Sequence, residues 1–403
     1  MKNVLFICRQ FPPQNAIASY RSGCFVKYLP KFGWNPIVVC NDWKSEYGSY
    51  DPDFVPNLSP DLDISRVPVE PLTNLSFRRR WSDRLAMLIG PQYYPWDWRR
   101  EASKRLHIIQ ARIRIDAIVA SSPSLVCWQL ADQYSREHQI GWVADLRDSY
   151  NHQTYLARSL YRRVAGRAES SLIRRATRSV VVTEHMASFA RTIRGGECTV
   201  IENGFDPDLF VNSEQVRLDK LVIAYTGNIY PPHIDPKMFL EGVRDAIAAN
   251  PALGRALELQ FIGVTIQQLR TCAGDWIDRL PIVASGRISH TECIRRQRQS
   301  SVLLQLCHPT SSGIITGKIF DYLAARRPIL AVPNDQDVVQ ALLCETGSGS
   351  IAGSVGEVTN RLLALFAEWK STGTVAYSGS PHIVQRYSRL LQTERLACVL
   401  NSM

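Results

Sequence analysis

Two successive series of short β-branched runs, each alternating with longer segments of helical period, constrain this chain more than any other feature. The first series predicts strands at residues 4–8, 36–40, 116–120, 141–145, 179–183 and 199–201, with helices at 19–32, 124–138, 157–176 and 184–193. The second restarts the rhythm, with strands at 221–226, 257–262, 281–284, 302–306 and 328–331 and helices at 236–249, 265–277, 291–300, 317–326 and 355–368. Strands separated by helices mean parallel sheets covered on both faces. The expected fold is therefore α/β: two Rossmann-like, doubly wound parallel-sheet domains. Residues 1–204 form the first domain and 205–381 the second; residues 382–403 form a C-terminal helix that packs back on the first. The seam, Asn203-Gly204-Phe205-Asp206-Pro207-Asp208, is polar and rich in turn formers. Residues 43–75 lack periodicity and carry several prolines, so they read as an irregular excursion.

With 403 residues, 45% of them hydrophobic, the chain can bury large cores without staples. The ten cysteines, from Cys8 to Cys398, form no CxxC pair and no zinc-spaced cluster with histidine. They read as small buried thiols of a reducing compartment. The opening apolar run is too short for a signal core, and no stretch approaches the ~18 apolar residues of a membrane span. A cytoplasmic protein is expected, with attachment to the inner face of the cell membrane as an option. The formal net charge is +10, with arginines concentrated in the first half. That bias suits an anionic partner or a solvated helix face. The segment 77–89, with Arg78, Arg79 and Arg80 beside Trp81, suits an anionic membrane surface or, equally, a packed helix with a basic outer face. Nucleic acid is not the expected partner, because no RNP motif, zinc finger or helix-turn-helix is present. The pairs Asp51/Asp53, Asp61/Asp63 and Asp206/Asp208 flank or adjoin proline-rich turns and read as turns rather than metal ligands.

The most informative segment is Gly313-Ile314-Ile315-Thr316-Gly317-Lys318-Ile319-Phe320-Asp321-Tyr322-Leu323-Ala324-Ala325. A small-residue loop leads into a helix that ends before a buried strand. Open amides at such a helix start attract an anion, and Lys318 adds charge. Asp321, one turn in, suits the two hydroxyls of a ribose. The same residues also suit a plain capped helix with Lys318 in solvent. A P-loop is excluded by one residue too few between Gly313 and Gly317 and by Ile319 at the Ser/Thr position.

This segment resembles the donor-binding helix of family 4 glycosyltransferases, whose motif is two glutamates separated by seven residues. Asp321 stands at the second, the ribose contact; Gly313 stands at the first, where backbone amides would have to serve the sugar instead. Further stretches are similar to the family. Phe11-Pro12-Pro13-Gln14-Asn15-Ala16-Ile17-Ala18-Ser19-Tyr20-Arg21 looks like its phosphate or acceptor loop, implicating Asn15, Ala16, Ser19 and Arg21. Trp142-Val143-Ala144-Asp145-Leu146-Arg147-Asp148 resembles one branch of the family and implicates Arg147 and Asp148 in catalysis; the competing reading is an Asp145–Arg147 structural pair. Gly227 and Asn228 occupy the turn that opens the second domain, where the family has an Arg and a Lys shortly afterwards. Here the nearest base is Lys237. Arg287 sits where the family reads the nucleobase.

The resemblance implies a GT-B enzyme with its two domains facing a cleft. It would move a sugar from a UDP- or GDP-linked donor to a glycan or polyprenyl-linked acceptor, with retention, in polysaccharide or glycoconjugate biosynthesis. Donor contacts would come from Gly313, Thr316, Gly317, Lys318, Asp321, Gly227, Asn228 and Arg287. No cofactor and no metal are implied; the nucleotide sugar is a co-substrate. The alternatives are a nucleotide-sugar epimerase of the same fold and a degenerate domain that only binds.

Overall fold

The computed structural model describes residues 1–42, 49–52, 54–55, 57–68, 95–150, 160–210, 219–308 and 313–403. Two compact units result: Met1–Asn203 with Arg389–Met403, and Gly204–Ser388.

The first unit holds a seven-stranded parallel sheet. Its strands are β1 (Lys2–Ile7), β2 (Trp34–Asp42), β3 (Asp63–Pro68), β4 (Ala117–Ser121), β5 (Trp142–Leu146), β6 (Arg178–Val181) and β7 (Thr199–Val200), in the order β3-β2-β1-β4-β5-β6-β7. The helices are α1 (Ile17–Tyr28), α2 (Trp96–Arg112), α3 (Leu125–His138), α4 (Leu160–Arg175) and α5 (Glu184–Arg194). The strands read as unbroken apolar runs because both faces are buried. In β1, Leu5 and Ile7 pack with Trp98, Leu106 and Trp128. Val4 and Phe6 turn the other way, onto Phe25 and Val26 of α1. Successive side chains of a strand point to opposite faces, so one run feeds two cores.

The second unit repeats the plan with six strands: β8 (Leu221–Thr226), β9 (Leu257–Ile262), β10 (Ile282–Ser285), β11 (Val302–Leu306), β12 (Ile329–Val332) and β13 (Gly349–Ile351), ordered β10-β9-β8-β11-β12-β13. Around them lie α6 (Lys237–Ala249), α7 (Pro251–Ala256), α8 (Ile266–Ala273), α9 (His290–Arg298), α10 (Lys318–Ala325), α11 (Val338–Thr346), α12 (Val355–Thr372) and α13 (Pro381–Gln385). In both sheets the order reverses after the first strand, so β1/β4 and β8/β11 are switch points. Ligands of doubly wound sheets bind outside the carboxyl ends there.

Three departures from the sequence expectation have physical causes. The strands β3 and β13 end their sheets, and an edge strand needs no long apolar run; β3 is largely half-buried. Helix α2 buries Trp98, Ala102, Leu106 and Ile109 at helical spacing beneath a basic outer face. The predicted helix over 382–401 is two helices, α13 and α14 (Arg389–Asn401). Between them Ser388 bridges to Phe205, and Phe205 N donates to Tyr387 O. The chain then re-enters the first unit, where Leu396 and Ala397 join the core beside α1. The segment 77–89 lies outside the described residues. No helix among those described is long and apolar enough to cross a membrane.

Candidate functional site

The second unit gathers most of the residues singled out in the sequence at the carboxyl end of β8. Helix α10 starts with Lys318, and no side chain caps it at Gly317. Ile319 and Phe320 donate to the carbonyls of Thr316 and Gly317, a tight first turn that leaves the amides of Gly317 and Lys318 as its open donors. The helix is locked to the sheet by Tyr322, whose hydroxyl accepts from Thr226 N at 2.9 Å. Thr316 is tied to the end of β11 by Gln305 Nε2 at 3.3 Å.

Lys318 does not extend into solvent. Its ammonium donates to Tyr225 Oη at 2.8 Å and lies 4.0 Å from the centroid of that ring. Among the described residues no carboxylate pairs with it. Burial, with no compensating ion pair, pushes its pKa down to about 7. Gly227, at φ +117°, passes close by: a Cβ built there would stand 2.9 Å from Lys318 Nζ. Its neighbour Asn228 has its carbonyl held by Tyr225 Oη at 2.6 Å and its side-chain amide on Tyr230 Oη. Gly227→Ala should therefore move the lysine and strain the turn. The expected outcome is a loss of ~1 kcal/mol of stability, read by thermal denaturation; stability equal to wild type would show that the turn accepts a side chain there.

Asp321 is buried on the first turn of α10. Its Oδ2 lies 3.3 Å from His290 Nε2, while its Oδ1 is buried with no hydrogen-bond partner. His290 starts α9, so the carboxylate lies on the first turn of one helix and meets the first residue of another. Sequence reasoning missed His290. Its signal was weak: a histidine following a Ser289 cap, three residues after Arg287. Arg287 itself is exposed on the β10–α9 loop. Lys237, exposed, opens α6, with its amide on Asp235 Oδ1.

Gly313 adopts φ +75°, which suits glycine, but its amide donates to Asp337 Oδ2 at 2.5 Å. That corrects the expectation of an open amide there: a carboxylate already occupies it. Helix α11 can spare Asp337 because Asp335 takes the capping role, accepting from Val339 N and Gln340 N.

In the first unit a cavity of about 160 Å³ opens at the β1/β4 switch point, lined among others by Cys8, Ser22, Ser121, Ser122 and Arg147. It is below the ~300 Å³ of typical ligand pockets and matches a single small fragment. Arg147 is fastened to the cavity wall: Nε donates to Ser122 O at 3.0 Å, Nη2 bonds the same carbonyl, and its amide donates to Ser122 Oγ. Burial lowers its pKa from the usual arginine value. Asp148 is exposed, its amide 3.5 Å from Ser122 Oγ. Beneath it the buried Glu169 accepts from Ser149 Oγ and Tyr150 N, holding the loop's next two residues.

The loop before α1 differs from the sequence reading. Arg21, expected at a phosphate or acceptor loop, is fully buried. Its guanidinium donates to Asp145 through Nε and Nη2, the latter at 2.9 Å, and to Glu202 O through Nη1. So Asp145 pairs with Arg21 and Ser121 Oγ, and the structural pair weighed for Arg147 is not the one formed. Ser19 is buried too, so neither side chain reaches a solvent-borne ligand. Ala16 is extended at the helix cap, and Asn15 pairs with Ser49. The reason is that α1 is enclosed nearly all round: Ala18 to Val26 and Tyr28 are all buried, so residues 19 and 21 lie inside although they point to opposite sides of the helix. Of the aspartate pairs, Asp206 Oδ1 accepts from Asp208 N, an Asx turn.

Residues 25–209 match the family model Glycosyltransferase Family 4. No curated protein sequence matches. Among solved structures, sucrose-phosphate synthase from Thermosynechococcus elongatus is similar over 100% of this chain and 99% of its own, at 13% identity and TM-score 0.65. HepE from Anabaena, in complex with UDP and glucose, is similar over 100% of both chains at 14% identity and TM-score 0.63. A UDP-forming α,α-trehalose-phosphate synthase from Burkholderia vietnamiensis, covering 100% of both chains, gives 11% and 0.64. At these identities the likeness shows the fold, which is GT-B.

Proposed function

From a chain of GT-B fold whose residues 25–209 match glycosyltransferase family 4, we infer a glycosyltransferase that takes its sugar from a nucleoside diphosphate donor. The observation that carries this reading is the pairing of two unmet needs at one helix start. Asp321 Oδ1 is buried and lacks a donor; Lys318 is half-buried and lacks an anion. A ribose hydroxyl answers the first and a diphosphate the second. HepE, similar in fold, is described with UDP and glucose, which makes uridine the first base to test.

In this reading the diphosphate lies on the amides of Gly317 and Lys318, with Thr316 and the Gly227–Asn228 turn around it and Arg287 toward the base. Gly313 and the Asp337 carboxylate on its amide adjoin the sugar. The acceptor oxygen bonds to the anomeric carbon as that carbon's bond to the phosphate oxygen breaks. The electron pair leaves with the diphosphate, whose growing charge Lys318 and the helix dipole stabilise without a metal. The acceptor, a glycan or lipid-linked hydroxyl, is assigned to the first unit, where Asp148 is the exposed carboxylate able to receive its proton and Arg147 shapes the cavity. Retention of configuration and a role in polysaccharide or glycoconjugate biosynthesis are what the family resemblance implies, and the unpaired cysteine spacing suits a cytoplasmic location. Attachment to an anionic membrane is supported by α2, whose outer face exposes Trp96 and Ile108 among Arg100 and Lys104.

Calorimetric titration of UDP and GDP in chelator tests the donor site; labelled nucleotide sugar with and without acceptor tests transfer. One nucleotide should bind. Binding of neither overturns the reading, and a rearranged nucleotide sugar formed without acceptor replaces transfer by epimerisation. The lysine adds a pH signature. Below about pH 7 Lys318 is charged in the empty site; above it the lysine is increasingly neutral, and a diphosphate raises its pKa. Binding at about pH 8 should therefore take up close to one proton, and affinity should fall as pH rises further. Titrations in buffers of different ionisation enthalpy read the uptake. Zero uptake would mean that Lys318 does not face the phosphates.

A further inference from the structure

Each of the two loops that flank Lys318 carries a histidine, and the structure stacks them. His233 lies in the loop after β8 and His308 two residues past β11. Their ring centroids are 4.7 Å apart and their planes 16° from parallel. Strands β8 and β11 are the neighbours at which the sheet order reverses. Gly227, at the root of the His233 loop, packs against Lys318, and Cys307, beside His308, lies within electrostatic reach of the same ammonium. The loop from Gly227 onward holds no Arg or Lys before Lys237, which is exposed on α6. A diphosphate brings more than one negative charge, and Lys318 answers only one.

His308 Nδ1 is buried with no hydrogen-bond partner. Among the described residues no carboxylate forms an ion pair with either ring. The titratable groups on the neighbouring elements are Tyr230 and Asp235 on the His233 loop and Cys307 beside His308, with Lys318 of α10 and Asp335 after β12 in electrostatic reach of Cys307. Burial and the neighbouring His233 both lower the pKa of His308 from its ordinary value. In the empty protein, then, charging His308 is opposed by burial and by the neighbouring ring.

We propose that His233 and His308 are a second, proton-gated contact for the donor's diphosphate, taking up a proton as the anion arrives beside Lys318. The proposal rests on the reading of the Lys318–Asp321 site as the nucleotide site. It makes the pair a substitute for fixed cations. An anion favours the imidazolium forms, so its presence raises their pKa values. The added affinity is present at low pH and is lost as pH rises through the pKa of the liganded pair. Lys318 is retained in the histidine variants, so their difference from wild type reports on the pair.

The experiment is calorimetric titration of UDP, GDP and uridine, with chelator, into wild type, Lys318→Met and His233→Asn/His308→Asn. At about pH 6 the histidine variant should bind the diphosphate about tenfold more weakly than wild type, the worth of one charge-assisted hydrogen bond. At about pH 8.5 the two should converge. Uridine, which has no phosphate, should not distinguish them at either pH. If the histidine variant matches wild type at both pH values while Lys318→Met weakens binding, the pair is overturned and the nucleotide site stands. If wild type binds no diphosphate nucleotide, both fall. Should the double variant fail to fold, the exposed His233→Asn alone carries the same comparison.

Discussion

Replacing Asp321 by alanine is expected to weaken nucleotide binding about 100-fold or more while leaving the empty protein nearly as stable as before. The carboxylate is buried, one oxygen is spent on His290 and the other has no partner. Two hydroxyls of a ribose would supply charge-assisted hydrogen bonds of ~1.5–3 kcal/mol each, and losing both costs at least two decades of affinity. Stability should respond differently, because an unsatisfied buried acceptor is a cost that alanine removes, offsetting the lost His290 contact. Asp321→Asn should fall between, keeping an acceptor but not the charge. Calorimetry with UDP and GDP reads the affinity, and thermal denaturation reads the fold. Unchanged affinity in Asp321→Ala would remove the carboxylate from the donor site altogether. A large loss of stability would instead make it a structural anchor for α9 and α10.

Arg21→Ala should act in the opposite way, lowering stability without touching nucleotide affinity. The guanidinium and the Asp145 carboxylate are both buried and meet at 2.9 Å. Removing one partner leaves an uncompensated charge in the core, which costs ~3–5 kcal/mol. In a domain of this size that lowers the melting temperature on the order of 10 °C. Replacing both partners, as Arg21→Met with Asp145→Leu, should recover most of the loss, since a buried ion pair adds little over well-packed apolar groups. Thermal denaturation of the two singles and the double completes the cycle. A mild single mutant would return Arg21 to the candidates for ligand binding.

The two predictions separate what the two loops show. In the second unit, small residues before Lys318 and an acid three residues on specified a helix start, and the structure gathers Gly227, Thr316, Gly317, Lys318 and Asp321 at it. In the first unit the same style of reading misjudged Arg21, because an arginine after a proline-rich turn looks alike whether it faces solvent or the sheet. His290 was invisible for a related reason. It lies 31 residues before Asp321, and only the neighbouring placement of α9 and α10 brings them together. The Gly313 amide, read as open, is closed by Asp337 from a loop 24 residues away.

By itself the sequence determined the architecture: two restarted series of apolar runs, each feeding two cores, demand two covered parallel sheets. It also determined where a helix would start with a lysine and an acid on its first turn, since capping and charge are local properties. The edge strands β3 and β13, the break between α13 and α14 and the partners of buried charges were decided by tertiary structure alone. Those depend on what a residue meets across the fold, and neither periodicity nor spacing records which distant group will stand opposite Arg21, Asp321 or His308.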